Sequence, residues 1–283
     1  MNLRKDKTLG VARDHLVSEQ DFTIYWDNNH RISWTDIKDI KDLSPYYDSG
    51  DYDSHKAQAI SFLDRIYRFV QRKMLLKKWK LIRQLCGNNT HVLDFGAGNG
   101  TFASYIQNQG NNVDAIEASE KARQILLQKK IRNYHSLEEL EISKTYDVIT
   151  LWHVLEHLPQ PEDALHSLKN RLKPKGTLWI AVPNFESHDA LHYKMNWAAL
   201  DVPRHLWHFT EEGLLQMARN AGLKCVEKHP LYYDVFYISY LSEKHKKTRF
   251  PIVVGFCYAL IFSIKAIVSK RHSSKIFVFQ KRD

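Results

Sequence analysis

The 283-residue chain has only three cysteines, Cys86, Cys225 and Cys257, widely spaced and odd in number. They build neither a disulfide framework nor a CxxC pair, so a reducing compartment is expected. The opening stretch "MNLRKDKTLG" lacks the apolar core of a signal peptide, which argues against export and for the cytoplasm. No internal repeat and no low-complexity tract is visible. Negative charge is in deficit: 32 Asp and Glu face 41 Lys and Arg, for a net charge of +9 and a pI near 9.3. That balance turns attention to acidic partners (nucleic acid, anionic lipid, an acidic glycan), against the plainer reading of a solubilising lysine surplus.

What remains is ordinary for a folded protein, 43% hydrophobic and 26% charged, and long enough for one large domain with an appendage. Residues 1–54 are polar and aromatic. Over 55–86 apolar residues recur at helical spacing, through Leu63, Ile66, Tyr67, Val70 and Met74, and Gly87 supplies a stop. From 87 to 230 apolar runs alternate with amphipathic helices: "HVLDF", "NVDAIEA", "YDVITLW" and "GTLWIAVPN" are strands, with "TFASYIQNQG", "EKARQILLQKK", "PEDALHSLKNRL" and "TEEGLLQMARNAG" as helices among and after them. This pattern predicts an α/β fold, a parallel sheet with helices on both faces. Residues 231–283 form an extension.

The first of these strands runs into Gly96, Gly98 and Gly100. A triphosphate loop needs a Lys after its last glycine, and Thr101 stands there. A dinucleotide fingerprint spaces its glycines GxGxxG, one residue wider than here. Asp94 sits two residues before the turn, where it would repel a pyrophosphate but suit an ammonium group. Glu117 follows the next strand, where a carboxylate can accept both hydroxyls of a ribose. A ligand with a ribose, an amino acid and no phosphate is S-adenosylmethionine. The plain alternative for both acids is solubility at strand ends.

"VLDFGAGNGTF", "VDAIEAS", "YDVITLWHVLEHLP" and "LKPKGTLWIAVPN", in this order, resemble the signature segments of class I S-adenosylmethionine-dependent methyltransferases, closest to the bacterial type 11/12 group, over residues 88–230. The resemblance implies a Rossmann-like seven-stranded sheet whose last strand is antiparallel, and "KIFVFQK" fits that strand. It also implies that Asp94, Gly96 and Gly98 hold the methionine moiety and Glu117 the ribose. Ala118, Ser136 and Leu137 would flank the adenine, and Trp152 would line the same cavity. Relatives place an aspartate near the adenine amino group, and the "HSLEE" loop has none. The N-terminal region aligns with a zinc ribbon in which Asp27 and His30 stand for cysteines, which implies a remnant without zinc. The tyrosines of "PYYDSGDYDSH", Tyr46, Tyr47 and Tyr52, are lid candidates or a surface turn.

"HVLEH", His153 to His157, matches a zinc-protease pattern. A buried strand leads into it, however, and the methyltransferase segment occupies the same place. In quinone-type relatives a Glu-x-x-Glu-His version is linked to a divalent ion; here His153 replaces the first glutamate. The expectation is therefore no metal, with His153 facing the reaction chamber and Glu156 and His157 serving structure, or all three merely satisfied at a helix start. The stretch from Asn184 to Thr210 is too long for a plain connection. Its end, "DVPRHLWHFT", resembles a type 12 segment, with Arg204, His205 and His208 toward the substrate. Arg204 could anchor an anionic group and His205 could take a proton, or these residues pin the loop to the core.

"FPIVVGFCYALIFSIKAIVSK", residues 250–270, is shorter than a clean membrane span and contains Lys265. If "KIFVFQK" rejoins the sheet, both helix ends lie on one side. Basic residues flank it (Lys246, Lys247, Arg249, Lys270, Arg271), and residues 64–83 carry eight Lys and Arg against Asp64 alone. An anionic membrane interface is the favoured partner, with packing on the core or a dimer partner as the alternative. The function these readings favour is methyl transfer to oxygen on a small molecule, a lipid or quinone precursor, or a surface-glycan sugar. The alternatives are an RNA methyltransferase or nucleic-acid binder, disfavoured because no RNA-binding module and no Asn-Pro-Pro-Tyr tetrapeptide is present, and a non-catalytic cofactor binder. The residues specify no oligomeric state.

Overall fold

The computed structural model describes residues 3–47 and 62–282, apart from the side chains of residues 62–69. Tyr52, Leu63, Ile66 and Tyr67 therefore fall outside the described side chains. An antiparallel meander comes first: β1 (Lys7–Arg13), β2 (Asp21–Asp27) and β3 (Ile32–Thr35). The long basic helix α1 (Phe62–Cys86) follows. Alternation then begins with β4 (His91–Phe95), α2 (Thr101–Gln107), β5 (Asn112–Ile116), α3 (Glu120–Gln128) and the short β6 (Arg132–Tyr134). It continues with β7 (Tyr146–Trp152), α4 (Pro161–Asn170) and β8 (Leu172–Pro183). The remainder is α5 (His188–Tyr193), β9 (Trp207–Phe209), α6 (Glu211–Asn220), β10 (Leu223–Leu231), α7 (Asp234–His245), α8 (Pro251–Ser269) and β11 (Ser274–Lys281).

Seven strands form one sheet in the order β10-β11-β8-β7-β4-β5-β6. The neighbours from β8 to β6 run parallel, and β11 runs antiparallel to both β8 and β10, as expected for the final strand. Successive strand residues point to opposite faces, which explains why these strands are apolar throughout. Leu93, Ile149 and Ile180 pack on one side with Leu165 and Leu168 of α4 and Leu214 of α6. Val92, Val148 and Trp179 pack on the other with Trp79 and Ile82 of α1, Ile106 of α2 and Leu126 of α3. The chain builds outward from β4 to β6 and then returns to β7 on β4's other side. That reversal opens a crevice past the C-terminal ends of β4 and β7, where ligands of such sheets bind.

The N-terminal region is not a free-standing lid. Its meander acquires a fourth strand, β9, from the long loop after β8: Ile32 pairs with Phe209 and Trp34 with Trp207. Phe22 and Ile24 join Trp197, Leu200 and Val235 in a third cluster of buried side chains. At the β2–β3 turn Asp27 and His30 face each other, His30 Nδ1 lying 3.0 Å from Asp27 Oδ2. The buried Asp27 also accepts the backbone N–H groups of Arg4 and His30. Between β10 and β11, α7 and α8 form a helical hairpin that packs on α5 and the long loop, with Val235, Ile238, Ala259 and Phe262 in the third cluster.

Candidate functional site

Asp94 stands at the crevice as the penultimate residue of β4. Gly96 and Gly98 adopt φ of +72° and +54°, a region that L side chains rarely enter. A Cβ at Gly96 would come within 2.4 Å of Val154, whereas one at Gly98 would meet nothing. The bare backbone at Gly98 is thus open for a ligand. Glu117, just past β5, accepts the Gly98 N–H on Oε2 at 2.7 Å and the Ser119 N–H on Oε1 at 2.9 Å, so its carboxylate lies directly on the turn.

Asp94 is 1% exposed. Thr150 Oγ1 donates to its Oδ1 at 2.7 Å, while no hydrogen bond reaches Oδ2. Burial pushes its carboxyl up to about 6, against the opposing pull of the Thr150 hydrogen bond and the Lys78 charge. A buried acid with one oxygen unmet, next to bare glycine backbone, is a receptor for a cation.

Arg123 donates to the carbonyls of Glu117 and Ala118 at 2.8 and 2.7 Å and lies 2.9 Å from His135 Nδ1. It thereby ties the turn after β5 to the loop carrying Ser136 and Leu137, so those three expected adenine neighbours share one side of the crevice. Trp152 ends β7, edge-on to Phe102. Lys78 Nζ stands 4.3 Å from the centroid of the Trp152 ring. Burial pushes this lysine down to about 8, moderated by the charges of Asp234 and Asp94. Sequence reasoning missed Lys78, which is one cation among the eight of its segment, and nothing in the string sets it apart.

On the acceptor side, His153 has φ of +58° and stands between two carboxylates, 3.3 Å from Glu156 Oε1 and 3.3 Å from Asp234 Oδ2. Burial works against its charge, but Asp234 and Glu156 prevail and push it up to about 9. At neutral pH it is an imidazolium and a charge donor, unsuited to be a base. Asp234, the first residue of α7, was also missed, since only the fold brings it to residue 153.

Arg204, expected to reach an anionic acceptor, is 1% exposed and bonds inward. Its Nε and a terminal nitrogen grip Asp201 at 3.1 and 2.6 Å, and it donates to the Tyr46 carbonyl at 3.2 Å. Asp14 of the N-terminal region lies 3.5 Å away. The guanidinium thus clamps the long loop to the N-terminal sheet. His208 also faces inward, on Thr35 Oγ1 at 3.0 Å, and burial pushes it down to about 3. Tyr46 bonds Gln20, and Tyr47 bonds His157 Nδ1 at 3.2 Å, on the acceptor side rather than over the glycine turn.

His205 remains at the site. Its Nδ1 donates to the Ala199 carbonyl at 2.8 Å, and its Nε2 faces Asp201 Oδ2 at 3.8 Å. Its ring meets that of His157 edge to face, and His157 Nδ1 is likewise placed on the Arg204 carbonyl at 3.0 Å. Burial, then the neighbouring His205, pushes His157 down to about 4. Glu156, His157 and His205 each offer a ligand atom within 4.8 Å of the others, so this donor set fits a divalent ion, which would acidify a bound hydroxyl there in place of proton removal by His205. The structural role expected for Glu156 and His157 and this ligating capacity are compatible, since both histidines are already oriented by carbonyls.

A switch-point crevice with a cation-seeking carboxylate, a bare glycine turn and a ribose-competent acid defines a class I S-adenosylmethionine-dependent methyltransferase. A model of the methyltransferase domain matches residues 62–228, and the chain belongs to that family. It is 26% identical over 168 residues to the mitochondrial ubiquinone biosynthesis O-methyltransferase of Schizosaccharomyces pombe, covering 54% of this chain and 56% of that protein. It is 27% identical over 161 residues to the ubiquinone biosynthesis O-methyltransferase of Rickettsia bellii, covering 52% of this chain and 67% of that one. The chain thus spans little more than half of the first relative's length. Among solved structures, the 1,6-didemethyltoxoflavin-N1-methyltransferase of Burkholderia thailandensis, with its substrate and S-adenosylhomocysteine, matches with a TM-score of 0.54 at 17% identity, covering 96% of this chain and 100% of that one. At that identity the likeness concerns the fold.

Proposed function

We propose that the chain transfers the methyl group of S-adenosylmethionine to a hydroxyl of a lipid-linked quinone precursor, at the cytoplasmic face of a membrane. The observation that carries the reading is the unmet Oδ2 of buried Asp94 beside Gly96 and Gly98. In this arrangement Asp94 takes the methionine ammonium and Glu117 exchanges the Gly98 N–H for ribose hydroxyls. Ala118, Ser136 and Leu137 flank the adenine, and Trp152 walls the cavity. The acceptor class is supported by the names of the O-methyltransferases to which the cofactor half is similar. A surface-glycan sugar is weaker, because the hydrophobic α8 then has no purpose. Nucleic acid is weaker too: Arg72, Lys80 and Arg83 of α1 are exposed, but Lys77 donates to the Pro230 carbonyl at 2.7 Å and the sequence carries no RNA-binding module beside them.

The sulfonium is already a strong electrophile, so orientation and exclusion of water do most of the work. The acceptor oxygen forms its bond to the methyl carbon as the S–CH3 bond breaks, and the pair of electrons stays on sulfur. His205 Nε2 receives the hydroxyl proton, while the imidazolium of His153 fixes the local charge and Arg204 holds the loop that presents His205. Purified protein incubated with methyl-labelled S-adenosylmethionine and fractionated extract should place label in the organic phase. Label confined to the sugar fraction would refute the lipid acceptor, and no label despite bound S-adenosylhomocysteine would refute methyl transfer. His205→Ala should lower turnover while leaving affinity for S-adenosylhomocysteine unchanged; unaltered turnover at saturating acceptor would remove His205 as the base.

A further inference from the structure

Among the described residues, nothing covers the face of α8 turned away from the protein. Of its 19 residues, Gly255, Ala259, Phe262 and Ala266 form the buried stripe, at the spacing of one helix face, against α7 and α5. A Cβ at Gly255 would come 2.8 Å from the backbone of Tyr240, so the two helices touch closely there. The opposite side carries Val253, Phe256, Leu260, Ile264, Ile267 and Val268, with Ile264 67% and Val268 85% exposed. The helix has a mean hydropathy of 2.2 and is long and apolar enough to cross a membrane by composition, yet only 22% of it is buried. Exposed apolar surface of this extent marks an interaction site.

The charges around it name the partner. No Asp or Glu occurs from Lys244 to Arg282. Lys246 is paired with Glu243, which leaves Lys247 and Arg249 at one end of α8 and Lys265, Lys270 and Arg271 toward the other. An apolar stripe with cations at both ends suits acyl chains below anionic headgroups. A second copy would bring like charges against these same rims.

The topology sets the orientation. The hairpin leaves β10 at Leu231 and returns at Ser274, two residues that pair with each other, and Ser274 also pairs with Pro183 at the end of β8. That is the end of the sheet where Asp94 and Trp152 open the crevice. The hairpin also contributes Asp234 to His153.

We infer that α8 lies flat in the interface of an anionic bilayer, with its outer stripe inserted, and that this docking sets the acceptor side of the crevice against the membrane. The inference rests on the methyltransferase reading only for what the docked crevice would do. A spanning placement would strip α8 from α7 and α5. The acceptor class that fits is an amphiphile whose reactive ring reaches the crevice while its hydrocarbon tail stays in the lipid.

The test is flotation of the full chain with vesicles of phosphatidylcholine alone or with phosphatidylglycerol added. The wild type should float with the anionic vesicles and weakly with the neutral ones, and added salt should lower the bound fraction by screening. Ile264→Glu with Val268→Glu changes exposed positions and should reduce flotation roughly tenfold or more, with helical content unchanged. Calorimetric binding of S-adenosylhomocysteine to the same double variant should match the wild type; failure of both proteins there is the failure of the cofactor reading and not of this one. Equal flotation of variant and wild type, or resistance of the bound protein to alkaline carbonate, would overturn the in-plane placement. A dimer that the double variant dissociates, with no flotation of the wild type, would give the face to a second copy and overturn the bilayer.

Discussion

Asp94→Asn should make the protein more stable and worse at its task. The carboxyl is buried and pushed from 3.8 up to about 6, so the folded state holds its proton where the unfolded chain has released it. The folded state therefore loses relative stability as pH rises from about 4 to about 6, and above that window the loss is complete. About two pKa units correspond to roughly 3 kcal/mol. Asparagine removes the buried charge but also removes the partner of Lys78, so the net gain at pH 7.5 should be about 2 kcal/mol. Near pH 4 the gain should vanish, because the wild-type acid is then protonated. Urea unfolding followed by circular dichroism at both pH values measures this. Affinity for S-adenosylmethionine should move the other way. Between pH 7 and 5 the wild type should lose roughly tenfold as Asp94 takes up a proton that cofactor binding must expel. His153, Lys78 and His157, at about 9, 8 and 4, keep their dominant charge states over that interval. Asp94→Asn should bind weakly with no such slope. A variant no more stable than the wild type at pH 7.5, or one with the same pH slope, would refute the reasoning.

Glu117→Ala should weaken S-adenosylhomocysteine binding by roughly tenfold to a hundredfold in calorimetry, the cost of hydrogen bonds to a charged acceptor, while 5′-methylthioadenosine and homocysteine competition separates the ribose share from the amino-acid share. Gly98→Ala has steric room in the free protein and should fold at a cost of about 1–2 kcal/mol for its left-handed backbone, yet lose cofactor affinity by more than roughly tenfold because its methyl group stands where the ligand approaches. Gly100→Ala meets Leu126 at 2.4 Å and should instead lower the melting temperature, by about 1–2 kcal/mol of stability. Arg204→Met leaves the buried Asp14 without its cation and Asp201 with His205 alone, and should cost about 3–5 kcal/mol in denaturant unfolding.

The seven-stranded core was legible because its signals are local. Apolar strands end at a glycine turn, and Ser119 and Thr210 cap the helices that follow where the pattern changes period. The places of Asp94 and Glu117 beside the glycine turn were legible, since both follow from the ends of two adjacent strands. Arg204 was not: a guanidinium in a polar loop looks available until Asp14, 190 positions earlier, is seen beside it. The N-terminal sheet was illegible for the same reason, because its closing strand, Trp207–Phe209, is supplied by a loop far along the chain. Asp234 and Lys78 reach the site through helix packing, which no spacing in the string reveals.

The position of β11 governs the order in which the molecule can be completed. This strand is not added at the rim: it slots between β8 and β10, both of which precede it in synthesis. Until residue 281 has left the ribosome, the groove that will hold Ile276, Phe277, Val278 and Phe279 lies open between two strands with unpaired edges, and α8 has already emerged. Such a nascent chain carries a greasy helix and two sticky strand edges at once, so it needs shelter, whether from a chaperone or from the lipid surface itself, for the seconds before closure. Interruption of translation within the last strand should therefore yield an aggregating product rather than a slightly shortened enzyme.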